Sequence, residues 1–194
     1  MTRFLALLLL TPSILTGLAA CSDAPPAPLG PLSETSLYLV ESAWTTDDDD
    51  AARLADFRGR PVALAMVYAS CGTACPTIVR DMQALGAATE ADDLAYVLVS
   101  LDPERDSPAH LRMFRDAHGL GDEWTLLTGS PDDVQTLAAV LGVRYRPEPD
   151  GTIAHSNLIT LLDRDGDVAA QVTGLGVDPA PAIASLHRAL GSDS

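Results

Sequence analysis

Lysine is absent from this chain of 194 residues, whose 12 basic residues are all arginines set against 27 acidic residues. The formal charge of −15 argues against nucleic acid as a partner and against charge-driven binding to anionic lipid. It favours cations or a basic partner face, although solubility accounts for most individual carboxylates. No internal repeat appears. Cysteine is scarce, with three residues, so each cysteine has to be accounted for individually.

The amino-terminal apolar stretch is too short and too broken for a membrane-spanning helix. Residues 1–20 instead contain Arg3, a short apolar run and small residues at the end, which is the pattern of a secretory signal peptide. The letters "LAAC" end at Cys21 and resemble the bacterial lipobox, in which the cysteine is lipidated. An ordinary signal peptide with an incidental cysteine is the alternative. The expected location is the bacterial cell envelope, with a lipid anchor on Cys21 and the domain facing the periplasm or the exterior.

The remaining chain divides into a tether and one domain. Residues 21–34 contain four prolines, which predicts an extended tether that lifts the domain off the lipid. Residues 35–194 are long enough for a single domain with its own core.

Hydrophobic periodicity within the domain predicts alternating strands and helices. Strands are predicted at residues 37–40, 61–69, 94–101, 124–127, 156–162 and 168–172. Helices are predicted at about residues 76–85, between Ser107 and Gly119, between Ser130 and Gly142, and from Asp178 to Gly191. The acidic residues 47–50 lack the spacing of a calcium loop and predict a solvated loop. Residues 163–167, "DRDGD", predict a hairpin turn rather than a calcium site.

This order of elements predicts an α/β fold. Strands that alternate with helices form a central, mostly parallel sheet with helices on both faces, and the closing hairpin adds an antiparallel edge. The order β-α-β-α-β-α-β-β-α is the one expected for a thioredoxin-like fold with an inserted βα unit.

Two cysteines, Cys71 and Cys75, lie at the junction between a buried strand and a helix. The amide groups and dipole of a helix start stabilise a thiolate, so these thiols are expected to lose their protons readily. With Cys21 assigned to the anchor, any disulfide within the monomer joins Cys71 to Cys75. The pair is a candidate disulfide, redox pair or half of a metal site, and two small buried apolar side chains are the alternative.

Four histidines could add a metal ligand. His110 and His118 are predicted near the ends of one helix, and His187 flanks the apolar stripe of the last helix, so structural roles are favoured for all three. His155 enters a strand that we expect beside the one ending at Cys71. Functional and structural interpretations of His155 are both open from this pattern alone.

Four ordered motifs, "DFRGRPV", "SCGTACP", "LVSLDPERDSP" and "AHSNLITLLDRDG", resemble the SCO/SenC family of copper proteins over about residues 55–190. The family's two motif cysteines and distal histidine hold copper, which implies Cys71, Cys75 and His155 as ligands here. The acid that opens "DPERD", Asp102, is implied to lie beside the ligands. Many members have proline where this chain has Gly72, a departure on the rim that a partner would touch.

The resemblance implies a metallochaperone that delivers copper to a respiratory oxidase, most directly to its CuA centre. Two thiolates and an imidazole suit Cu(I), whereas a structural zinc site would normally have a fourth ligand. The rival function is a thiol-disulfide reductase that keeps the cysteines of a copper-protein partner reduced, using Cys71 and Cys75 without His155 or metal. A peroxidase would need an arginine and a threonine around its cysteine, and only Thr73 and Thr77 lie near in sequence.

Overall fold

A computed structural model describes residues 29–72, 74–89 and 93–191. Its elements are β1 (Trp44–Thr46), β2 (Ala51–Ala52), β3 (Val62–Val67), α1 (Ala74–Thr89), β4 (Ala95–Ser100), α2 (Pro108–His118), β5 (Trp124–Gly129), α3 (Pro131–Leu141), β6 (Tyr145–Pro147), β7 (Ile153–His155), β8 (Leu158–Leu162), β9 (Val168–Thr173) and α4 (Ala180–Ala189). No helix in this described part has the length and apolar character to cross a membrane. The predicted signal peptide and Cys21 lie outside the described residues.

A seven-stranded sheet in the order β2-β1-β5-β4-β3-β8-β9 forms the centre of the domain. Its three middle strands, β3, β4 and β5, are parallel to one another. All six residues of β3, "VALAMV", are buried, because a strand covered on both faces has no side that tolerates polar residues. The hairpin of β8 and β9 pairs antiparallel to β3 at one side, as predicted.

The α/β class and the thioredoxin-like arrangement are therefore confirmed. Between β4 and β8 the chain inserts β5 and α3, and β5 extends the parallel part of the sheet beyond β4. The short strands β1 and β2 were not predicted, and they add an antiparallel edge beyond β5. A separate two-stranded ribbon of β6 and β7 lies outside the main sheet.

Capping chemistry sets the ends of α2 and α3, as the sequence predicts. The hydroxyl of Ser107 accepts from the His110 amide, and the hydroxyl of Ser130 accepts from the Asp133 amide. Both helices end at glycines, Gly119 and Gly142, that adopt the left-handed conformation with φ of 61° and 77°. A residue with a Cβ is strained there, which is why glycine ends these helices.

The strand predicted at residues 37–40 is wrong. Residues Leu37–Leu39 form a single 3-10 turn, and the Ser36 hydroxyl accepts from the Tyr38 amide at its start. The Leu37 amide donates to the carbonyl of Gly166 in the β8–β9 turn at 2.9 Å. The ring of Tyr38 lies so close to Gly166 that a Cβ there would sit 2.5 Å from it. Contacts with a distant turn therefore override the local strand preference.

The prediction that residues 47–50 form a solvated loop is also wrong in part, because Asp47 is only 1% exposed. The guanidinium of Arg115 in α2 binds both carboxylate oxygens of Asp47, with Nη2 at 2.9 Å from Oδ1. The amide of Leu126 also donates to Oδ1. A buried charge needs such partners, so Asp47 anchors the β1–β2 edge to the helix layer.

Candidate metal centre

Cys71 and Cys75 lie in the segment that connects the end of β3 to the start of α1, at the carboxyl edge of the parallel strands. After Val67 the chain makes a tight loop in which the Cys71 amide donates to the Tyr68 carbonyl at 3.1 Å. Cys75 falls within the first turn of α1, and its amide donates to the Cys71 sulfur at 3.3 Å. Cys71 is 9% exposed and Cys75 is fully buried, so only the first sulfur lies near the surface.

His155 reaches these sulfurs from the β6–β7 ribbon. It is the last residue of β7, where it pairs with Tyr145 of β6. The ligand atoms of Cys71, Cys75 and His155 all lie within 4.8 Å of one another. The strand containing "HSNLITLLD" begins only at Leu158, so His155 sits before the main sheet rather than inside β8. The structure thus brings together the three side chains implied as copper ligands.

Hydrogen bonding selects which imidazole nitrogen is available. Nδ1 of His155 lies 3.2 Å from the carbonyl oxygen of Ser156. A carbonyl oxygen only accepts, so Nδ1 carries the proton and Nε2 keeps its lone pair for a metal. Burial lowers the pKa of His155, partly offset by the bond to Ser156. The folded protein therefore favours the neutral imidazole, which is the form that binds a metal.

The family profile for SCO1/SenC matches residues 35–191, which is well over half of the chain. This chain belongs to the SCO1/SenC family. A candidate copper-binding protein of Stutzerimonas stutzeri is 29% identical over 122 residues, a match that covers 59% of this chain and 59% of that relative. The SCO1 protein homolog of Bacillus subtilis is 26% identical over 149 residues, covering 73% of this chain and 77% of the homolog.

Solved structures resemble this SCO1/SenC domain closely. The copper-bound structure of Bradyrhizobium japonicum ScoI has a TM-score of 0.63 and 27% identity, and the match covers 76% of this chain and 96% of that one. The structure of BsSco, in which a disulfide switch is described, has a TM-score of 0.65 and 24% identity and covers 78% and 92%. BsSco is described as a member of the Sco family of cytochrome c oxidase assembly proteins.

The thiols of this SCO1/SenC protein differ from expectation in one respect. Burial raises the pKa of Cys75, and interaction with Cys71 raises it further. The expectation that both thiols lose their protons readily is therefore wrong for Cys75, because desolvation outweighs the helix start. The structure holds the pair as two thiols, so the Cys71–Cys75 disulfide stays a prediction for the oxidised protein.

Stability at alkaline pH tests this protonation state. The folded protein holds the Cys75 proton more tightly than the unfolded chain, whose thiol keeps the ordinary pKa of 9.0. This contribution to stability is present below that value and is lost as the pH rises above it. We expect the free energy of unfolding of the reduced, metal-free protein to fall between about pH 9 and 10 by up to about 1.4 kcal/mol per pH unit. Urea titrations measure it.

The matched control is Cys75→Ala, which removes the titrating thiol. We expect this variant to be less stable overall but to show a much flatter pH profile over the same interval. An equally steep profile in both proteins would contradict the assignment to Cys75.

Two residues that sequence reasoning missed support the centre. Tyr68 stacks edge-on against His155 with ring centroids 5.9 Å apart, and its hydroxyl accepts from the Ile153 amide. Asp106 is 3% exposed; its Oδ2 accepts from the Ala69 amide at 2.9 Å and from the Ser100 hydroxyl at 2.6 Å. Tyr68 adjoins the cysteine motif and Asp106 ends the "DPERD" motif, but only long-range contacts reveal what each one holds.

Asp102, the acid implied beside the ligands, is buried at the carboxyl end of β4. Its carboxylate forms an ion pair with Arg105, and Arg105 Nη2 donates to the carbonyl of Gly151 at 2.8 Å. Gly151 lies in the turn of the β6–β7 ribbon, which ends at His155. The structure therefore links Asp102 to the centre through Arg105 and the ribbon, and its influence on the ligands stays a prediction.

The other histidines are engaged elsewhere, as favoured from the sequence. Nε2 of His187 lies 2.8 Å from the Thr89 carbonyl, and Nδ1 of His110 lies 2.6 Å from the Arg105 carbonyl. The ring of His118 packs against Phe114. Of the two threonines near the cysteines that a peroxidase site could use, Thr73 and Thr77, Thr73 lies outside the described residues. Within the described ranges, only Cys71, Cys75 and His155 form a group of three side chains that could share an ion.

Proposed function

We propose that this protein binds one copper ion through Cys71, Cys75 and His155 and delivers it to a respiratory oxidase, at its CuA centre. The convergence of the three ligand atoms within 4.8 Å carries this proposal. The residues come from three separate places, the loop after β3, the first turn of α1 and the end of β7. Such a convergence requires the whole fold, and packing alone gives no reason for it.

The donor set fits copper better than its competitors. Two sulfurs and one imidazole form a soft, low-coordinate site that favours Cu(I). A structural zinc site would normally be closed by a fourth ligand, and no further histidine, cysteine or carboxylate joins the three among the residues that the structure describes. Cys75 lies within the hydrophobic core, and burial lowers the pKa of His155; both features suit a soft metal ion.

Transfer of the ion to a partner requires access, and the centre has it. Cys71 and His155 line a pocket of about 290 Å³, whose walls include Ser70, Gly72 and Ala154. These three residues are exposed, so a partner that contacts them comes close to Cys71 and His155. The copper is thus held by buried sulfur on one side and reached from the surface on the other.

The proposed site of action is outside the cytoplasm of a bacterial cell. A signal peptide over residues 1–20 would export the chain, and acylation of Cys21 would anchor it. The tether then places the domain near a membrane-bound oxidase. The acidic surface, with a formal charge of −15 for the whole chain, suits a basic face on the partner.

Complementation of oxidase activity tests the delivery function. In a strain that lacks the native gene, His155→Ala is expected to lose oxidase activity that only excess copper restores, because the variant holds copper too weakly to deliver it. His118→Ala, which removes an imidazole elsewhere, is the matched control and is expected to behave as wild type. Full activity of His155→Ala without added copper would contradict delivery through this centre.

One observation favours a second candidate, a thiol-disulfide reductase. Cys71 lies nearer the surface than Cys75, and its sulfur accepts a hydrogen bond from the Cys75 amide, an arrangement that suits an attacking thiolate. Its attack on a partner's disulfide would form a mixed disulfide, which Cys75 would resolve to leave Cys71–Cys75 oxidised and the partner reduced. In the same complementation test, rescue by His155→Ala without copper supports this candidate.

The ribbon that presents His155 provides a further test of copper binding. Arg105 connects the turn of that ribbon to Asp102. Removing its side chain therefore makes the position of His155 less fixed and leaves all three ligand side chains in place. We expect Arg105→Ala to lower the affinity for Cu(I) about tenfold, as loss of an outer partner of a metal ligand typically does. Competition titration with a chromogenic Cu(I) chelator measures the change.

Arg146→Ala is the control for the Arg105 variant. Arg146 lies on the same ribbon, and its side chain pairs with the neighbouring Glu148 and with no other side chain in the described part of the chain. Its loss therefore removes an equal charge without releasing the turn. We expect wild-type affinity from this control. Equal losses in the two variants would assign the effect to charge rather than to the position of His155.

A further inference from the structure

Asn157 carries a buried polar atom without a hydrogen-bond partner among the residues that the structure describes. It lies between β7 and β8, two residues after His155, and it is one of the residues that line the same pocket as Cys71 and His155. Its backbone is fixed, because the Gly174 amide donates to the Asn157 carbonyl at 3.0 Å. Its side-chain oxygen Oδ1, however, is buried and receives no hydrogen bond from the residues that the structure describes.

Such an atom is unusual in this domain. Nearly all buried side-chain oxygens and nitrogens of native proteins find a partner, because burying one without compensation is costly. Only one other buried side-chain atom in the described ranges shares this condition, the Tyr38 hydroxyl, which belongs to the packing around Gly166. Of the two residues, Asn157 is the one that lines the pocket of Cys71 and His155, so an ion bound there is a candidate partner for its oxygen.

The neighbouring carboxylates already form hydrogen bonds or ion pairs with other residues. Asp102 forms an ion pair with Arg105, and Asp106 accepts from Ala69 and Ser100. No carboxylate joins the group formed by Cys71, Cys75 and His155 in the described part of the chain. Asn157 therefore lines the pocket of Cys71 and His155 and has an unused side-chain acceptor.

We propose that Asn157 Oδ1 is an oxygen donor for the oxidised ion, Cu(II), and is not required for Cu(I). This inference rests on the copper function proposed above. Soft sulfur ligands satisfy Cu(I) at low coordination number, whereas Cu(II) prefers four or more donors that include nitrogen and oxygen. A neutral amide oxygen adds the harder donor without adding charge to the pocket. Asn157 thus sets how strongly the protein holds copper in its higher oxidation state.

The test compares both oxidation states in the purified full domain. Asn157→Leu removes the oxygen at similar size, and Asn157→Asp keeps an oxygen donor at the same place. We expect Asn157→Leu to lower the affinity for Cu(II) about tenfold and to change the Cu(II) electron paramagnetic resonance spectrum. The affinity of Asn157→Leu for Cu(I) is expected to stay within about twofold of wild type. The separate variant Asn157→Asp is expected to keep the Cu(II) affinity of the wild type.

Thr160→Val is the matched control, because it changes a polar residue in β8, the strand that follows Asn157. Thr160 is buried in β8 and accepts from Gln171 at 3.2 Å, so the valine variant disturbs a buried polar contact away from the pocket. It is expected to leave the ratio of Cu(II) to Cu(I) affinity unchanged. If Asn157→Leu does not fold, Asn157→Ala provides the same comparison.

An unchanged Cu(II) spectrum and affinity in Asn157→Leu would overturn the inference. Equal losses of Cu(I) and Cu(II) affinity would overturn it as well, because they would assign a packing role to Asn157. Failure of the wild-type protein to bind copper in either state would instead refute the proposed function. Different results would therefore refute the role of Asn157 and the proposed copper function.

Discussion

Replacing Cys71 or Cys75 by serine is expected to lower the affinity for Cu(I) by at least about 100-fold. Loss of an outer partner of a metal ligand already costs 10- to 100-fold, and these substitutions remove a direct soft donor. Serine offers a hard, protonated oxygen that Cu(I) accepts poorly. His155→Ala is expected to have an effect of similar size, because two sulfurs alone leave the ion without its nitrogen donor.

Competition with a Cu(I) chelator measures these affinities, and thermal unfolding confirms that each variant is folded. Serine is close to cysteine in size, so a serine at the fully buried position of Cys75 leaves no large cavity. Met113→Leu is the control for sulfur, since Met113 is 66% exposed on α2. His118→Ala is the control for imidazole. Retention of wild-type affinity by the cysteine variants would remove the basis of the proposed centre.

Replacing Asp106 by alanine is expected to destabilise the protein by about 3 kcal/mol, because it leaves two buried donors unpaired at about 1–3 kcal/mol each. Those donors are the Ala69 amide and the Ser100 hydroxyl. Ala69 lies two residues before Cys71, so the loop that presents the first sulfur loses its support at the same time. We expect weaker copper binding together with the loss of stability, measured by urea unfolding and by Cu(I) competition.

The control is Asp106→Asn. Both hydrogen bonds end on one oxygen, Oδ2, and the single carbonyl oxygen of asparagine can accept both. We expect this variant to lie within about 1 kcal/mol of wild type at neutral pH. If alanine and asparagine destabilise equally, the charge of Asp106 and not its two hydrogen bonds holds the loop.

The difference in stability between the wild-type protein and Asp106→Asn depends on pH, and its direction follows from the pKa of Asp106. Burial raises the pKa of Asp106 above its ordinary value of 3.8, so the folded state favours the protonated carboxyl. The stability that this contributes is present below the ordinary pKa and is lost as the pH rises through the raised value. Asparagine does not titrate. We therefore expect Asp106→Asn to gain stability relative to wild type between acid and neutral pH.

Local sequence chemistry was sufficient where the deciding contacts are short-range. Ser107 and Ser130 cap helices that end at glycines a few turns later, and those boundaries are correct. The unbroken apolar run of β3 predicted a central strand covered on both faces. The strand pattern before Cys71 and the helical pattern after Cys75 placed both cysteines at the strand-to-helix junction. The helix α1 begins at Ala74, earlier than predicted, and so includes Cys75.

Features that depend on distant partners could not be predicted from the same patterns. Asp47 is buried because Arg115, 68 residues away, neutralises it, and no local pattern reveals such a pair. The turn at Leu37–Leu39 forms against Gly166 rather than as a strand. The β6–β7 ribbon is held by Arg105, and its role in presenting His155 appears only in three dimensions. The proximity of His155 to the thiols was expected from a family resemblance and not from spacing.

X-ray absorption at the copper edge, with metal content, on the reduced and copper-loaded wild-type protein tests the central claim most directly. We expect one copper per chain, with two sulfur scatterers and one imidazole nitrogen in the first coordination shell. A shell that lacks imidazole, or a chain that retains no copper after removal of excess metal, would contradict it.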